Sequence, residues 1–241
     1  MKRTAISVEG LSKRFGRRRA VDGLTFEVAE GSVCGLLGRN GAGKSTLIRM
    51  MMNLLDPTTG RITMLGLDSR RDHTALMRRV GYVSESPVLY ESMKVKELVR
   101  FTAGFYAAWN HRRVDELLDR FAIDRDQRVR HLSRGTNAQL ALALALGGDP
   151  ELLIFDEPAT GLDVMVRRDV LASIIQVIQQ EGRTVLFSSH LLHEVERVAD
   201  QVVIIDRGRL VQSGSTEELK LRTGLSLEES FVEMVAAKGR V

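Results

Sequence analysis

The feature that most constrains the fold of this chain is a glycine-rich run at residues 38–46, which matches the pattern G-x-x-x-x-G-K-[ST]. An apolar segment, residues 32–37, precedes it and indicates a strand. A Met- and Leu-rich segment, residues 47–55, follows it and indicates a helix. A strand, a glycine turn and a helix in this order form a phosphate-binding loop. We therefore predict that all nine residues bind a nucleotide: Gly38, Arg39, Asn40, Gly41, Ala42, Gly43, Lys44, Ser45 and Thr46.

The residue types in this loop suit the chemistry of a triphosphate. Its glycines permit a tight turn in which backbone N–H groups point inward. The helix that starts near Lys44 adds the positive end of its dipole. We expect Lys44 to reach the outer phosphates and the Ser45 hydroxyl to bind Mg²⁺.

The length of 241 residues predicts one large domain, or one domain with a subdomain. With 44% hydrophobic and 27% charged residues, the composition is typical of soluble proteins. The net charge of +4 is mild, and the main basic cluster, residues 17–19, has no interleaved aromatic residues. We therefore expect a solvated loop there and no nucleic-acid binding. A single cysteine, Cys34, excludes a disulfide framework and indicates a reducing cytoplasm. We expect no secretory signal and no membrane span, so a partner would supply the membrane-spanning part.

The pattern along the chain predicts strands at both ends of a helical block. Two early strands, residues 5–8 and 24–28, flank a loop that holds the arginines. Further strands are predicted at residues 61–67, 80–83, 152–155, 184–187 and 201–205, and helices at 95–109, 112–121, 139–146, 164–180 and 191–198.

Apolar strands that alternate with helices predict a parallel sheet covered on both faces. We divide the chain into four parts. They are a first part of the nucleotide-binding core at 1–84, a helical subdomain at 85–150, a second part of the core at 151–215 and a short helical tail at 216–241.

Two carboxylates end the apolar strand at residues 152–155. Asp156 and Glu157 would emerge at the carboxyl end of this strand, where open α/β sheets bind their ligands. We predict that Asp156 holds Mg²⁺ directly or through water. Glu157 would accept the proton of the attacking water or orient it.

The order of these motifs resembles that of the nucleotide-binding domains of ABC transporters, over nearly the whole chain. The resemblance implies a P-loop NTPase core, in the α/β class, with an N-terminal antiparallel β portion and an inserted α-helical subdomain. It implies ATP and Mg²⁺ as ligands and ATP hydrolysis as the activity. By the same resemblance Phe15 stacks on adenine, His190 is the switch histidine, and the catalytic set is Lys44, Glu157 and His190.

The sequence departs from the family pattern at Glu85, in the signature, and downstream of it, where Ala138, Gln139 and Leu144 replace the usual Gln-Arg and a later Arg. Glu85 stands where the family has a Gln that touches Mg²⁺, and a carboxylate can still bind this cation. The signature Leu-Ser-Gly-Gly-Gln appears as residues 132–136, Leu-Ser-Arg-Gly-Thr. Arg134 is harmless there only if the position does not need a positive φ. We expect an active site, with contacts to the opposite subunit from Ser133, Arg134, Gly135 and Asp163.

The resemblance implies a peripheral ATPase on the cytoplasmic face of the membrane. It would drive a separate membrane-spanning subunit and pair with a second ATPase subunit as a homodimer. Residues 105–110, Phe-Tyr-Ala-Ala-Trp-Asn, resemble a pattern of small export-type ATPases, the YtrB-like and bacitracin-export-like groups. Two alternatives stay open: an ATPase that signals through a membrane protein, and one half of a heteromeric pair with a weakened site. The sequence leaves the transported substrate open.

Overall fold

The computed structural model describes residues 3–158, 165–167, 183–189, 195–196, 198–223 and 229. Ten strands and six α-helices lie within these residues. The strands are β1 (Thr4–Phe15), β2 (Arg18–Ala29), β3 (Val33–Leu37), β4 (Thr59–Met64), β5 (Leu67–Asp68), β6 (Val80–Val83), β7 (Leu152–Asp156), β8 (Thr184–Ser189), β9 (Gln201–Asp206) and β10 (Arg209–Ser215). The helices are α1 (Lys44–Met51), α2 (His73–Met77), α3 (Val95–Ala103), α4 (His111–Arg120), α5 (Arg134–Gly147) and α6 (Thr216–Thr223).

The strands form two sheets of different kinds. The first is antiparallel, with the order β2-β1-β4-β5. The second has the order β10-β9-β3-β8-β7-β6 and is parallel except at its β10 edge. The parallel strands are apolar and buried on both faces, as the continuous hydrophobic runs predict.

The parallel sheet separates two hydrophobic cores. Residues of β7 alternate between them, because successive side chains of a strand point to opposite faces. Leu152 and Ile154 join α1 and the antiparallel sheet, whereas Leu153 and Phe155 join α5. Cys34 lies in the first core, where burial raises the pKa of its thiol to about 12.

Helix α5 belongs to two cores at once. Leu142 and Leu146 pack in the core under the parallel sheet, while Leu140 and Leu144 pack against α3 and α4 in a third core. The helical block at residues 85–150 therefore shares α5 with the sheet. The proposed domain boundaries remain predictions.

Several local expectations were wrong. The helix expected at residues 47–55 ends at Met51, and the strand expected at residues 61–67 divides into β4 and β5 at Leu65 and Gly66, which both have a positive φ. The arginines at 18 and 19 lie on β2, because β1 and β2 form one long hairpin with a tight turn at residues 16–17. The helix expected at residues 95–109 ends at Ala103. The chain then turns so that Tyr106 and Trp109 pack on Gly148 and Gly147, where an added Cβ would meet each ring at 2.4 Å.

Three expected elements lie wholly or partly outside the described residues. These are the helix at 164–180, most of the helix at 191–198, and the tail beyond α6. Among the helices that the structure does describe, none combines the length and the apolar character required to cross a bilayer.

Candidate active site

The predicted phosphate-binding loop lies between β3 and α1, at the carboxyl edge of the parallel sheet. Gly43 precedes α1 with a φ of 110°, a conformation that residues with a side chain rarely adopt. A Cβ on Gly43 would also lie 2.6 Å from the Ala20 carbonyl oxygen. Both the backbone conformation and the lack of space for a side chain therefore require glycine at this position. Gly43, at the N-cap position, has no side chain that could accept a hydrogen bond from the first N–H groups of α1, and this suits a helix N-terminus that binds a ligand.

The loop is braced by the turn between β9 and β10. The Gly208 N–H donates to the Ala42 carbonyl oxygen at 2.8 Å, and the Asp22 N–H donates to the Gly208 carbonyl oxygen at 2.8 Å. These two bonds join β2, the β9–β10 turn and the phosphate-binding loop. The backbone of the loop is therefore linked to β2 through Gly208.

Lys44 lies at the centre of the site and is buried. Its Nζ donates to the Gly38 carbonyl oxygen at 2.8 Å and lies 3.1 Å from Glu157 Oε1. The ammonium group thus lies between the loop and the second motif. This brings together the cation expected at the outer phosphates and the carboxylate expected to accept the proton of water.

Asp156 ends β7 beside the start of α1. Its Oδ1 accepts hydrogen bonds from Ser45 Oγ at 3.1 Å and from Ser188 Oγ at 2.9 Å. Burial raises the pKa of Asp156 above its ordinary value, and the two hydroxyl hydrogen bonds oppose that shift. The structure therefore juxtaposes the two oxygen donors, Ser45 and Asp156, that the sequence predicts for Mg²⁺.

Glu157 has a left-handed backbone, with a φ of 47°. This conformation is uncommon for residues other than glycine and persists where the surroundings hold it. The Glu157 N–H donates to Ser188 Oγ at 2.9 Å.

Ser188 was not among the site residues predicted from the sequence. The available signal was a hydroxyl at the end of an otherwise apolar strand.

The other predicted residues are placed as follows. Phe15 ends β1 and is half exposed, and the Lys13 ammonium lies 5.2 Å from its ring centroid. Glu85 is exposed just after β6. Asp163 and His190 lie outside the described residues.

The signature residues form the start of α5. Ser133 is its N-cap, and its Oγ accepts the Thr136 N–H at 3.1 Å. Arg134 is the first residue of the helix and is exposed. Gly135 is buried, and a Cβ there would meet Val166 Cγ1 at 2.5 Å. Arg134 therefore occupies a helical position that needs no glycine.

A model of the family described as ABC transporter matches residues 21–160. The chain belongs to the ABC transporter family. It is 39% identical over 226 residues to the daunorubicin resistance ATP-binding protein DrrA3 of Streptomyces coeruleorubidus, covering 92% of this chain and 71% of that protein. It is 34% identical over 227 residues to the bacitracin transport ATP-binding protein BcrA of Bacillus licheniformis, covering 93% and 74%.

A solved structure described as the ATP binding subunit of an ABC transporter is also similar. It shares 30% identity with a TM-score of 0.87, and the match covers 96% of this chain and 99% of that one. These matches confirm the predicted family and fold and identify the chain as an ABC ATPase that binds ATP. The roles assigned to single residues stay predictions.

Proposed function

We propose that this ABC ATPase powers export by hydrolysing ATP in a site built from Lys44, Ser45, Asp156 and Glu157. One observation carries the assignment. The ends of β3 and β7 bring the Lys44 ammonium within 3.1 Å of Glu157 and the Ser45 hydroxyl within 3.1 Å of Asp156. Cation, hydroxyl and two carboxylates thus converge at the sheet edge where α/β folds bind nucleotides.

Each of these residues has one task in phosphoryl transfer. Backbone N–H groups of the loop and the Lys44 ammonium neutralise the phosphate oxygens. Glu157 takes the proton of the attacking water or holds that water in line with the outer phosphate. Its left-handed backbone directs the side chain toward Lys44, across the same site.

The residues present fit Mg²⁺. This ion takes hard oxygen ligands, usually one or two carboxylates together with substrate phosphates. The Ser45 hydroxyl and the Asp156 carboxylate would hold it, with Glu85 as a further oxygen donor from the segment after β6. The ion would neutralise the negative charge on the phosphates.

A groove beside this site is the proposed contact with a membrane-spanning subunit. It has a volume of about 390 Å³ and runs between the segment after β6 and helices α3 and α5. Tyr90, Phe101 and Phe105 form an edge-to-face series along this region, with successive ring centroids 5.1 Å apart. All three rings are exposed, and so is Val88, at 97%. An exposed apolar patch of this kind marks an interaction surface.

We propose a short amphipathic helix of the membrane subunit as the occupant of this groove, because the groove adjoins the Glu85 segment of the nucleotide site. Coexpression of the chain with the membrane protein encoded beside it tests this. Phe101→Asp, at an exposed residue that lines the groove, should abolish co-purification. Leu221→Asp should not, because Leu221 is also exposed and apolar but lies on α6, next to β10 at the opposite edge of the parallel sheet from β6. Equal recovery of the two variants would contradict the assignment.

Export is supported by two relatives that are named for daunorubicin resistance and bacitracin transport. The chain would sit on the cytoplasmic face of the membrane, and the membrane subunit would select the substrate. In the proposed cycle ATP closes a head-to-tail homodimer and hydrolysis reopens it. ATP must then bind the closed dimer more tightly than the open one.

The oligomeric mass of the Glu157→Gln variant in solution, measured with and without Mg-ATP, tests this cycle. The amide keeps the shape of the side chain but cannot accept the proton. We expect ATP binding to persist, hydrolysis to fall by about 10²–10⁴-fold, and a monomer to become a dimer with Mg-ATP. Glu151→Gln is the matched control, because Glu151 lies just before the other end of β7 and pairs with Arg79 on the surface.

Two results would change the proposal. If Glu157→Gln hydrolyses ATP at the parental rate, Glu157 is not the proton acceptor. A persistent monomer that still binds ATP would replace the homodimer with a heteromeric pair.

A further inference from the structure

Ser188 is a buried hydroxyl in the middle of the site that the assigned roles do not use. It lies in β8 after three buried apolar residues, Val185, Leu186 and Phe187, and is 1% exposed. A buried hydroxyl without hydrogen bonds is unfavourable. The hydrogen-bond partners of Ser188 therefore indicate the role of its hydroxyl group. Both partners belong to the two consecutive residues of the carboxylate motif.

The Ser188 hydroxyl donates a hydrogen bond to Asp156, with 2.9 Å between Ser188 Oγ and Asp156 Oδ1. That oxygen also accepts the Ser45 hydroxyl, so two hydroxyl groups converge on one side of the carboxylate. In the part of the chain that the structure describes, Oδ2 accepts no hydrogen bond. This arrangement fixes the rotation of the carboxylate and turns its second oxygen away from both serines.

The lone pairs of Ser188 accept the Glu157 N–H, at 2.9 Å. This bond acts at the residue whose φ of 47° needs support from its surroundings. The direction of the Glu157 side chain depends on that backbone conformation. One hydroxyl therefore bridges the Asp156 carboxylate and the Glu157 backbone.

The parallel register makes the bridge possible. Asp156 and Ser188 are paired neighbours on β7 and β8, so the hydroxyl lies level with the last residue of β7. A residue shifted by one position along β8 would point to the opposite face of the sheet.

We propose that Ser188 is a positioning residue for ATP hydrolysis, which holds the Asp156 carboxylate and the Glu157 backbone in the geometry that the reaction needs. The inference rests on the proposed function of this site. Ser188 itself touches neither substrate nor metal in this role. Its loss should therefore act on turnover and on the use of Mg²⁺ more than on ATP affinity.

Three variants and a matched control test the role. Ser188→Ala removes the hydroxyl, and Ser188→Cys keeps a group of similar shape that is a weak hydrogen-bond donor and acceptor. Ser188→Thr restores the hydroxyl. Ser32→Ala is the control, since Ser32 is also buried with two hydrogen-bond partners, Ala29 O and Gln201 Oε1, but lies at the opposite edge of the sheet, just before β3.

The measurements are the melting temperature, kcat and KM for ATP, and the Mg²⁺ concentration that half-saturates binding of a fluorescent non-hydrolysable ATP analogue. We expect kcat to fall about 10- to 100-fold in the Ala and Cys variants, because small misplacements of reacting groups have effects of this size. KM should change less than about threefold, and the half-saturating Mg²⁺ concentration should rise several-fold. Ser188→Thr should recover most of kcat relative to Ser188→Cys, whereas Ser32→Ala should lower only the melting temperature.

The outcomes separate this inference from the proposed function. If the parental protein hydrolyses ATP and the Ala and Cys variants lose no more kcat than Ser32→Ala, the positioning role is wrong and the ATPase assignment stands. A lower melting temperature with unchanged kcat also overturns the role, because it shows a purely structural bond. If the parental protein binds no Mg-ATP, both the role and the proposed function fail.

Discussion

The N-terminus of α1 is proposed to face the phosphates of its own site and that of α5 to contact the opposite subunit, and the two are built differently. Helix α1 begins after Gly43, which lies in the left-handed region and has no side chain to cap the helix. Helix α5 begins after Ser133, whose Oγ accepts the Thr136 N–H and lies 2.8 Å from Thr136 Oγ1. The first helix thus leaves its N–H groups to a ligand, whereas the second satisfies one of them within the chain.

This difference indicates what each end requires. The α1 end depends on a nucleotide to satisfy its N–H donors, so changes there should act on nucleotide binding within one chain. The α5 end is stable without a ligand, so changes there should act on the contact between two chains. The predictions below test this contrast.

The largest effect is expected for Lys44→Ala. Loss of the ammonium removes the charge proposed for the outer phosphates, and with it the cation that lies 3.1 Å from Glu157 Oε1. Since a hydrogen bond to a charged group is worth up to about 3 kcal/mol, ATP affinity should fall about 100-fold or more. Titration with a fluorescent ATP analogue measures it, and Lys96→Ala, on the surface with Asp126, is the control. Unchanged affinity would remove Lys44 from the binding site.

A moderate effect is expected for Ser133→Ala. Loss of the N-cap should lower the free energy of unfolding by about 1 kcal/mol and leave ATP binding by the monomer intact. In a Glu157→Gln background it should weaken the ATP-dependent dimer. Asn110→Ala is the matched control, because Asn110 Oδ1 caps α4 in the same way, at 3.0 Å from the Arg113 N–H. If both variants form the dimer equally well, α5 does not face the opposite nucleotide.

The smallest effect is expected for Arg134→Gly. Arg134 occupies the first helical position without strain, so glycine relieves nothing and costs up to about 1 kcal/mol of stability. The rate of ATP hydrolysis should change less than about threefold. A large gain in the rate would show that Arg134 weakens the site and would favour the heteromeric alternative.

The sequence alone predicted those parts of the site in which one short segment carries the geometry. The strand, turn and helix around Lys44 are one such segment, and the strand that ends at Asp156 and Glu157 is another. Both were found because their spacing determines their local structure. The start of α5 was not found in this way. The apolar pattern predicted a helix only at residues 139–146, whereas α5 begins at Arg134, and the signature segment around Ser133 was identified from the family resemblance.

The parts that were missed depend on contacts between distant segments. The link from Ser188 to Asp156 needs the register of β7 against β8, which no local pattern specifies. The end of α3 at Ala103 depends on Gly147 and Gly148, which are small enough to admit Trp109 and Tyr106. Helical propensity favours a longer helix there, and tertiary packing overrides it.

The shared packing of α5 has a mechanical consequence. Its 14 residues make a rod about 21 Å long, with Ser133 at one end and with Ala141, Leu144 and Ala145 in the wall of the aromatic groove farther along. Because the rod is fixed in two close-packed cores, it moves as one body. A displacement of the helix at its Ser133 end would therefore also tilt the groove wall.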